Sequence, residues 1–377
     1  DELGLHESDA DPRIAGFGPV DPGSLNLRPG SFKPEDHDRQ WREELGAAEF
    51  EPRHRVWDVA WLGPDRLLAV HDPSHLECWF PTGRRERMIQ GDGHGVQLLR
   101  NGESAFVHVL ERANLFTGSH DSSTLFEVGD AELVRVAGFD HGVLFSVDRA
   151  GRFLCRDTGD LAQKRERRDA VIGSGGQVLL SQDLGHYACF NHHLRIDGAD
   201  DLYFLRGTPP SSHQSKVLCR IDLKGSVKEC FPWDSEEQHL MCGTACLLST
   251  SILVRAYPVY HPYSQRFSLY VEAREMPTGH LRWRRSVSAL VTSLTSVEGH
   301  PWLIYALTDG HVGVLDVETG DLAFETNLRL AGVSTVALSM CALGDRVALG
   351  TIDGRLILLR IEERMALSRN PRQAASS

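Results

Sequence analysis

One pattern of short strands and tight turns returns about every 40 residues, and it predicts an all-β fold built from repeated units. Near the C-terminus, residues 303–307 are followed by the turn Thr308-Asp309-Gly310, by residues 311–317, and by the turn Glu318-Thr319-Gly320-Asp321. Residues 346–361 repeat the order of strand, Asp-Gly turn and strand. Glycine suits these turns because tight hairpins need a positive φ. A repeat of this length made only of strands is typical of a propeller blade, so we predict a seven-bladed β-propeller.

The predicted propeller covers residues 54–363, and residues 364–377 are predicted to be a flexible tail. The seven units start near Val56, His94, Leu133, His192, Thr244, Leu290 and Val333. Residues 170–191 fit the pattern least well. They could extend the junction between blades three and four, or they could form an eighth blade, and the sequence leaves both alternatives open.

Residues 1–53 are predicted to be an acidic arm rather than a domain. Their first part is rich in proline and glycine and has almost no periodic apolar pattern, which favours an irregular conformation. Pro34 is predicted to open one short helix over about residues 34–50, because proline is accepted at a first helical position. Glu35 and Asp36 follow it, where the helix dipole favours negative charge.

The charge of the chain is concentrated in this arm. Of the formal net charge of −12, residues 1–53 carry −7, from 13 acidic and 6 basic side chains. The propeller body is therefore nearly neutral, which argues against general attraction to nucleic acid or to anionic lipid. Basic clusters at residues 84–87, 164–168 and 282–285 follow turns, so we place them on outer strands, where charge discourages edge-to-edge pairing. A nucleic-acid partner is not predicted.

Composition also bears on the compartment. No stretch approaches the roughly 18 uninterrupted apolar residues of a membrane span, and the first residues form no signal-peptide pattern. The sequence does not begin with Met, so a removed leader stays open. We expect a cytosolic or nuclear protein without a membrane partner. Its eight cysteines lie mostly within apolar strands, which favours buried thiols over disulfides.

Two known propeller families share marks with these units. Gly299-His300, Asp309-Gly310 and Val314-Leu315-Asp316 resemble the Gly-His, Asp-Gly and Trp-Asp frame of WD40 repeats, with Leu315 where tryptophan is usual. The segment from Ala273 to Trp283, which contains Thr278-Gly279, is similar to the tryptophan-docking motif of quinoprotein-like propellers. The WD40 resemblance implies an interaction scaffold. The other implies a structural tryptophan that packs between neighbouring blades.

No coherent catalytic or metal-binding set stands out. His192 and His193 are adjacent, so in a strand they point to opposite faces and cannot ligate one ion together. Cys242 and Cys246, with His239 nearby, offer one pair of soft ligands, whereas zinc sites usually need two. We predict no catalytic residue, no bound metal and no cofactor.

Long connections give the strongest functional indication. If the strands of a blade are named a to d from the axis outward, all b–c connections leave one face of the disc. Three of them are predicted to be enlarged loops: residues 111–123, 207–215 and 257–266. Tyrosine and arginine dominate many protein interfaces, and long loops are often functional. The predicted partner-binding residues are Tyr257, Tyr260, His261, Tyr263, Arg266, His213, Leu115 and Phe116.

The sequence therefore predicts a non-enzymatic propeller that holds a protein or peptide on its b–c face, as a subunit or adaptor of a larger complex. In that interpretation Tyr257, Tyr260 and Tyr263 are surface anchors, and replacing them by alanine should leave melting nearly unchanged. The alternative is an enzyme or cofactor protein that uses the central channel, as lactonase-like and quinoprotein-like propellers do.

Overall fold

A computed structural model describes most of the predicted propeller. The described residues are 55–71, 75–79, 85–90, 95–102, 104–111, 122–129, 132–139, 142–157, 168–185, 194–207, 215–233, 244–248, 251–261, 264, 266–330 and 333–360. The predicted acidic arm, its helix at about 34–50 and the predicted tail at 364–377 lie outside them. The structural statements that follow concern the described residues.

Blades one, two and three are antiparallel sheets of four strands each, in chain order from the axis outward. Blade one contains β1 (Val56–Trp61), β2 (Leu67–His71), β3 (His75–Trp79) and β4 (Arg85–Gln90). Blade two contains β5 (Gly95–Arg100), β6 (Ala105–Glu111), β7 (Ser122–Val128) and β8 (Leu133–Phe139). Blade three contains β9 (Gly142–Val147), β10 (Phe153–Asp157), β11 (Asp169–Ile172) and β12 (Val178–Gln182).

Blades four to seven follow the same plan with two variations. Blade four has three strands, β13 (Leu202–Gly207), β14 (Lys216–Ile221) and β15 (Val227–Pro232). Blade five contains β16 (Ala245–Leu247), β17 (Ile252–His261), β18 (Arg266–Glu275) and β19 (Leu281–Ser286). Blade six contains β20 (Val291–Ser296), β21 (Trp302–Leu307), β22 (His311–Asp316) and β23 (Leu322–Asn327). A small ribbon of β24 (Arg329–Leu330) and β25 (Val333–Ser334) precedes blade seven, which contains β26 (Ala337–Leu343), β27 (Arg346–Thr351) and β28 (Leu356–Arg360).

In blade four, an irregular segment, residues 194–199, takes the innermost position. It runs beside the inner strand of blade three: the Gly198 amide donates to the Val147 carbonyl at 2.8 Å, and the Arg149 amide donates to the Ala199 carbonyl at 2.7 Å. These bonds join blades three and four directly at the axis.

The described residues form seven blades around an axis, with no helix among them, which confirms the predicted all-β propeller. The prediction that blade three starts near Leu133 is wrong. The strand that begins at Leu133 pairs with β7 and is the outer strand of blade two. The segment 170–191, the candidate eighth blade, instead supplies the two outer strands of blade three. Periodicity alone does not tell whether a strand ends one sheet or begins the next.

Each neighbouring pair of blades shares an apolar layer, and these layers form the core. Leu253, Tyr257 and Val259 of blade five pack with blade four, while Val254 and Ala273 pack with blade six. A similar layer joins blades seven and one, where Val56 and Trp61 pack with Cys341 and Ala348. The ring therefore closes through burial of apolar surface between its first and last blades.

The tryptophan predicted to pack between blades does so. Trp283 of β19 is buried, and its indole N–H donates to the Val317 carbonyl of blade six at 2.7 Å. Gly320, with φ of +72°, lies against the indole, and a Cβ there would come within 2.5 Å of a ring carbon. Gly279 of blade five lies in the same way against Phe231 of blade four. The Thr-Gly turns thus provide docking sites for aromatic side chains of the preceding blade.

Two further observations complete the fold. The six cysteines in the described part, at positions 78, 155, 219, 230, 246 and 341, form no disulfide. Among the described residues, no helix has the length and apolar character needed to cross a membrane.

Candidate functional site

The predicted tyrosine loop of blade five is largely a β-hairpin. β17 and β18 have ten residues each, whereas no other strand in the described part of the chain has more than seven. They stay paired from Ile252 and Glu275 out to His261 and Arg266. The expectation of a loop over residues 257–266 is therefore wrong for most of its length.

The outer half of this hairpin projects beyond its own sheet. β16 pairs with β17 only at residues 253–255, and β19 pairs with β18 only at residues 270–274. The four pairs from Pro258 and Leu269 to His261 and Arg266 thus extend past the described ends of β16 and β19, with one backbone hydrogen bond, from the Val287 amide to the Leu269 carbonyl at 3.0 Å, at their base. We call these eight residues, 258–261 and 266–269, the hairpin tip. They lie at the b–c end of blade five.

Directly paired residues of an antiparallel ladder place their side chains on the same face, so the two faces of the hairpin differ. Val259 follows the face that packs on blade four, and it is buried. Pro258, Leu269 and Phe267 follow the face that packs on blade six lower down. The Phe267 side chain is 42% exposed. The tip therefore presents an apolar surface on its blade-six side.

Tyr257 lies at the base of the tip and not on the surface. It is 2% exposed, and its hydroxyl donates to Glu272 Oε2 at 2.6 Å. Burial and the neighbouring Glu272 carboxylate raise the pKa of Tyr257. This position corrects the expectation that Tyr257 is a surface anchor, because its ring and hydroxyl are both occupied inside the sheet.

Glu272 is the centre of a buried charge network. Arg255, Arg274 and Arg284 donate through their Nε atoms to its carboxylate at 2.7, 2.5 and 2.9 Å. Burial alone would raise the pKa of Glu272, but these guanidinium groups, Arg255 foremost, and the Tyr257 hydroxyl hold it at about 2. The carboxylate is thus ionised in the core, where it accepts hydrogen bonds from three guanidinium groups.

Arg255 connects this network to blade four. Its Nη1 donates to the Trp233 carbonyl at 2.6 Å. Its guanidinium lies 4.3 Å from the Trp233 ring centroid and 4.7 Å from that of Tyr257. The base of the hairpin is consequently fixed on the neighbouring blade by charge, hydrogen bonds and aromatic contacts.

The tip contains three of the predicted partner-binding residues, and the side chains of two of them, His261 and Arg266, are described. His261 is exposed, and its Nε2 lies 2.7 Å from the Ser268 hydroxyl. The Arg266 side chain is exposed and makes no hydrogen bond or ion pair in the described part of the chain. The Tyr260 side chain, Tyr263, His213, Leu115 and Phe116 lie outside what the structure describes. The structure therefore brings together His261 and Arg266, and sequence reasoning missed Phe267.

A second candidate site is the cavity on the propeller axis, with a volume of about 1090 Å³. All seven blades contribute to its wall through their innermost segments: Asp58, Arg100, Arg149, Arg195, Cys246, Ser293 and Cys341. The a–b turn 298–301 and the c–d turn at Val317 and Glu318 also line it. It therefore opens on the a–b face, opposite the hairpin tip.

An ion-pair network forms the wall of this cavity on blades one to four. Arg195 donates to Asp58 at 2.9 Å and to Asp197 at 2.8 Å. Although desolvation acts in the other direction, these two carboxylates raise the pKa of Arg195 above its usual value. Asp58 also accepts from the Leu98 amide of blade two at 3.0 Å, and Asp197 accepts from the Val147 amide of blade three at 3.2 Å.

Sequence reasoning did not find this network, because Asp58 and Arg195 are 137 positions apart and no local motif links them. Within the described ranges, no group of three or more histidine, cysteine or acidic side chains is arranged to hold a metal ion.

Comparison with solved structures supports the architecture. The WD40 β-propeller domain of Doa1, known from a crystal structure, matches with a TM-score of 0.52 and 12% sequence identity. The match covers 83% of this chain and 94% of that one. No family model and no curated protein matches the sequence. At this identity the likeness establishes the fold alone, which is a WD40-like β-propeller.

Proposed function

We propose that this protein is a non-enzymatic interaction scaffold that binds a protein or peptide on its b–c face, with the hairpin tip as the main contact. The observation that carries the proposal is the projection of the tip beyond the described ends of β16 and β19 while it keeps Phe267 42% exposed. A large apolar side chain on a projecting, internally paired ribbon is typical of a contact surface. The WD40 fold commonly mediates protein interactions, which supports this reading.

The chemistry of the tip indicates what the partner offers. Phe267 and Leu269 suit an apolar side chain, and Arg266 suits a carboxylate, because a guanidinium without an internal acceptor keeps all its donors for a ligand. The network around Glu272 fixes the base of the hairpin, so little ordering is needed on binding. In neighbouring blade four, β13 ends and β14 begins on the same face. We propose His213, which lies between these two strands in the sequence, as the second contact.

We further propose that the protein acts as an adaptor or subunit of a larger complex in the cytosol or nucleus. The enzyme alternative is less well supported. Catalysis in the channel would need acidic or histidine side chains that converge on a substrate. Among the described residues of the cavity wall, both aspartates are instead engaged by Arg195 and Glu318 is engaged by Arg282, while Glu298 and His300 lie together on one turn of blade six.

The test is capture of partners from native lysate by the tagged full chain, with identification by mass spectrometry. The variant carries Phe267→Ser and Arg266→Glu. The matched control is Phe324→Ser, because Phe324 is 46% exposed on the outer strand of blade six, away from the tip.

We expect a stoichiometric partner that the double variant loses and the control retains, with melting of both close to wild type. Capture that survives the double substitution would contradict the assignment of the tip. Failure of the wild-type chain to capture any partner would contradict the scaffold function itself.

A further inference from the structure

The axial cavity has the size and access of a small-molecule site. Pockets that take organic ligands are concave and usually enclose about 300 to 1,000 Å³, so a cavity of about 1090 Å³ is ample. It opens on the a–b face, and a ligand would therefore reach it without crossing the hairpin tip. The remaining question is which chemistry its wall recognises.

Most charges on the wall are already compensated. Arg195 is paired with Asp58 and Asp197, as described above. At the mouth, Arg282 donates to Glu318 at 2.6 Å, and Arg149 lies 2.9 Å from Asp200. These three arginines therefore have carboxylate partners in the protein.

Arg100 differs from the other arginines of the wall. It is the last residue of β5 and lines the cavity, but its side chain makes neither a hydrogen bond nor an ion pair in the described part of the chain. Burial raises the pKa of the Cys341 thiol of blade seven to about 12, and the charge of Arg100 acts on this thiol in the opposite direction. A half-buried guanidinium with five N–H donors and no protein acceptor is suited to an anion with two or more oxygens.

Hydroxyl groups are present at the same level of the cavity. Ser293, Thr295 and Ser296 on β20 are half-buried, line the cavity, and have no side-chain hydrogen bond among the described residues. Thr295 and Ser296 lie at the a–b end of their inner strand, as Arg100 and Cys341 do on theirs. Leu247 and Val291 add apolar surface to the same wall. One cation, several unused hydroxyls and apolar patches thus face a common space.

We propose that the axial cavity binds a small organic anion, with Arg100 holding its carboxylate or phosphate group and the β20 hydroxyls contacting its body. This site is independent of the scaffold function, because it opens on the opposite face and shares no residue with the hairpin tip.

The probe is 1-anilinonaphthalene-8-sulfonate, an aromatic anion whose fluorescence rises in apolar surroundings, titrated into the folded full chain. Displacement by 1-naphthoate, by 1-naphthyl phosphate and by neutral 1-naphthylmethanol tests the need for charge and separates carboxylate from phosphate. The variant is Arg100→Gln. Its matched control is Arg282→Gln, which removes an arginine from the mouth of the same cavity.

We expect one probe bound per chain, displaced by at least one of the two oxyanions and not by the alcohol. Loss of a charged hydrogen-bond donor should weaken binding about tenfold or more in Arg100→Gln and about twofold or less in Arg282→Gln. Melting of each variant must match wild type, because the probe also binds partly unfolded chains. Thr295→Phe, which places a bulky ring in the cavity beside the β20 hydroxyls, should weaken binding even if Arg100→Gln alters folding.

Three results would overturn the proposal. They are the absence of saturable binding to the wild-type chain, equal affinity in Arg100→Gln and wild type, and displacement by the neutral alcohol as effective as by the oxyanions.

Discussion

Replacing Glu272 by glutamine removes the carboxylate that the Arg255, Arg274 and Arg284 Nε atoms share, while it keeps the size of the side chain. Glu272 is 0% exposed, so no water can compensate the guanidinium groups left around a neutral amide. Breaking a buried ion pair by neutralising one partner typically costs about 3 to 5 kcal/mol. We expect a loss of about that size in the free energy of unfolding at pH 7.

The pKa of Glu272 gives a second and independent magnitude. A fall from the ordinary value of 4.5 to about 2 corresponds to about 3 kcal/mol of stabilisation by the ionised form. Because the folded pKa lies below the unfolded one, this stabilisation is complete above pH 4.5 and is lost as the pH falls toward 2. By pH 3.5, linkage predicts a loss of about 1 kcal/mol.

The assay is urea unfolding of wild type and Glu272→Gln, followed by tryptophan fluorescence, at several pH values from 7 to 3.5. The difference in unfolding free energy between the two proteins should shrink by about 1 kcal/mol over that range, since glutamine does not titrate. The matched control is Glu229→Gln, which removes the exposed ion pair with Arg206 and should cost less than about 1 kcal/mol. Equal stability of Glu272→Gln and wild type at pH 7, or a difference that does not change with pH, would refute the reasoning.

Two further predictions concern the base of the hairpin and the docking of Trp283. Tyr257→Phe removes the hydroxyl that donates to Glu272 and should lower the free energy of unfolding by about 2 kcal/mol. A cost below about 0.5 kcal/mol, which is the size of a typical surface substitution, would contradict the assigned hydrogen bond. Gly320→Ala should destabilise more than Gly299→Ala, by about 1 to 3 kcal/mol in the same assay, because both positions have a positive φ but only Gly320 meets an indole. Equal costs at the two glycines would show that the Trp283 contact does not determine the effect.

The architecture could be predicted from the sequence because each blade repeats local signals. Asp309-Gly310 and Thr319-Gly320 mark turns by the positive φ that glycine supplies, and most of the described strands have five to seven residues. The strand at Leu133 was misassigned because pairing between strands is not a local property. The docking role of Trp283 was predictable, since its motif contains both the tryptophan and a Thr-Gly turn.

The hairpin was harder to predict because its prolines resemble those of a loop. Pro258 stands within β17 without breaking it, since β17 is an edge strand there, beyond the end of β16. Tyr257 is held in the core by Glu272, which lies on the paired strand β18, and by packing on blade four. Neither contact has a local signal in the sequence. A triple tyrosine-to-alanine variant therefore confounds binding with folding.

The opposite placement of the two candidate sites makes their tests independent. The hairpin tip leaves the b–c face, whereas the cavity opens at the a–b turns, and the disc of blades separates them. Substitutions at Phe267 and Arg266 should therefore leave binding of the anionic probe unchanged, and Arg100→Gln should leave partner capture unchanged. If either substitution affects the other site, we expect the blade-four inner segment to carry the effect, because Arg195 faces the cavity while Leu194 and Ile196 pack with Val259 of the tip.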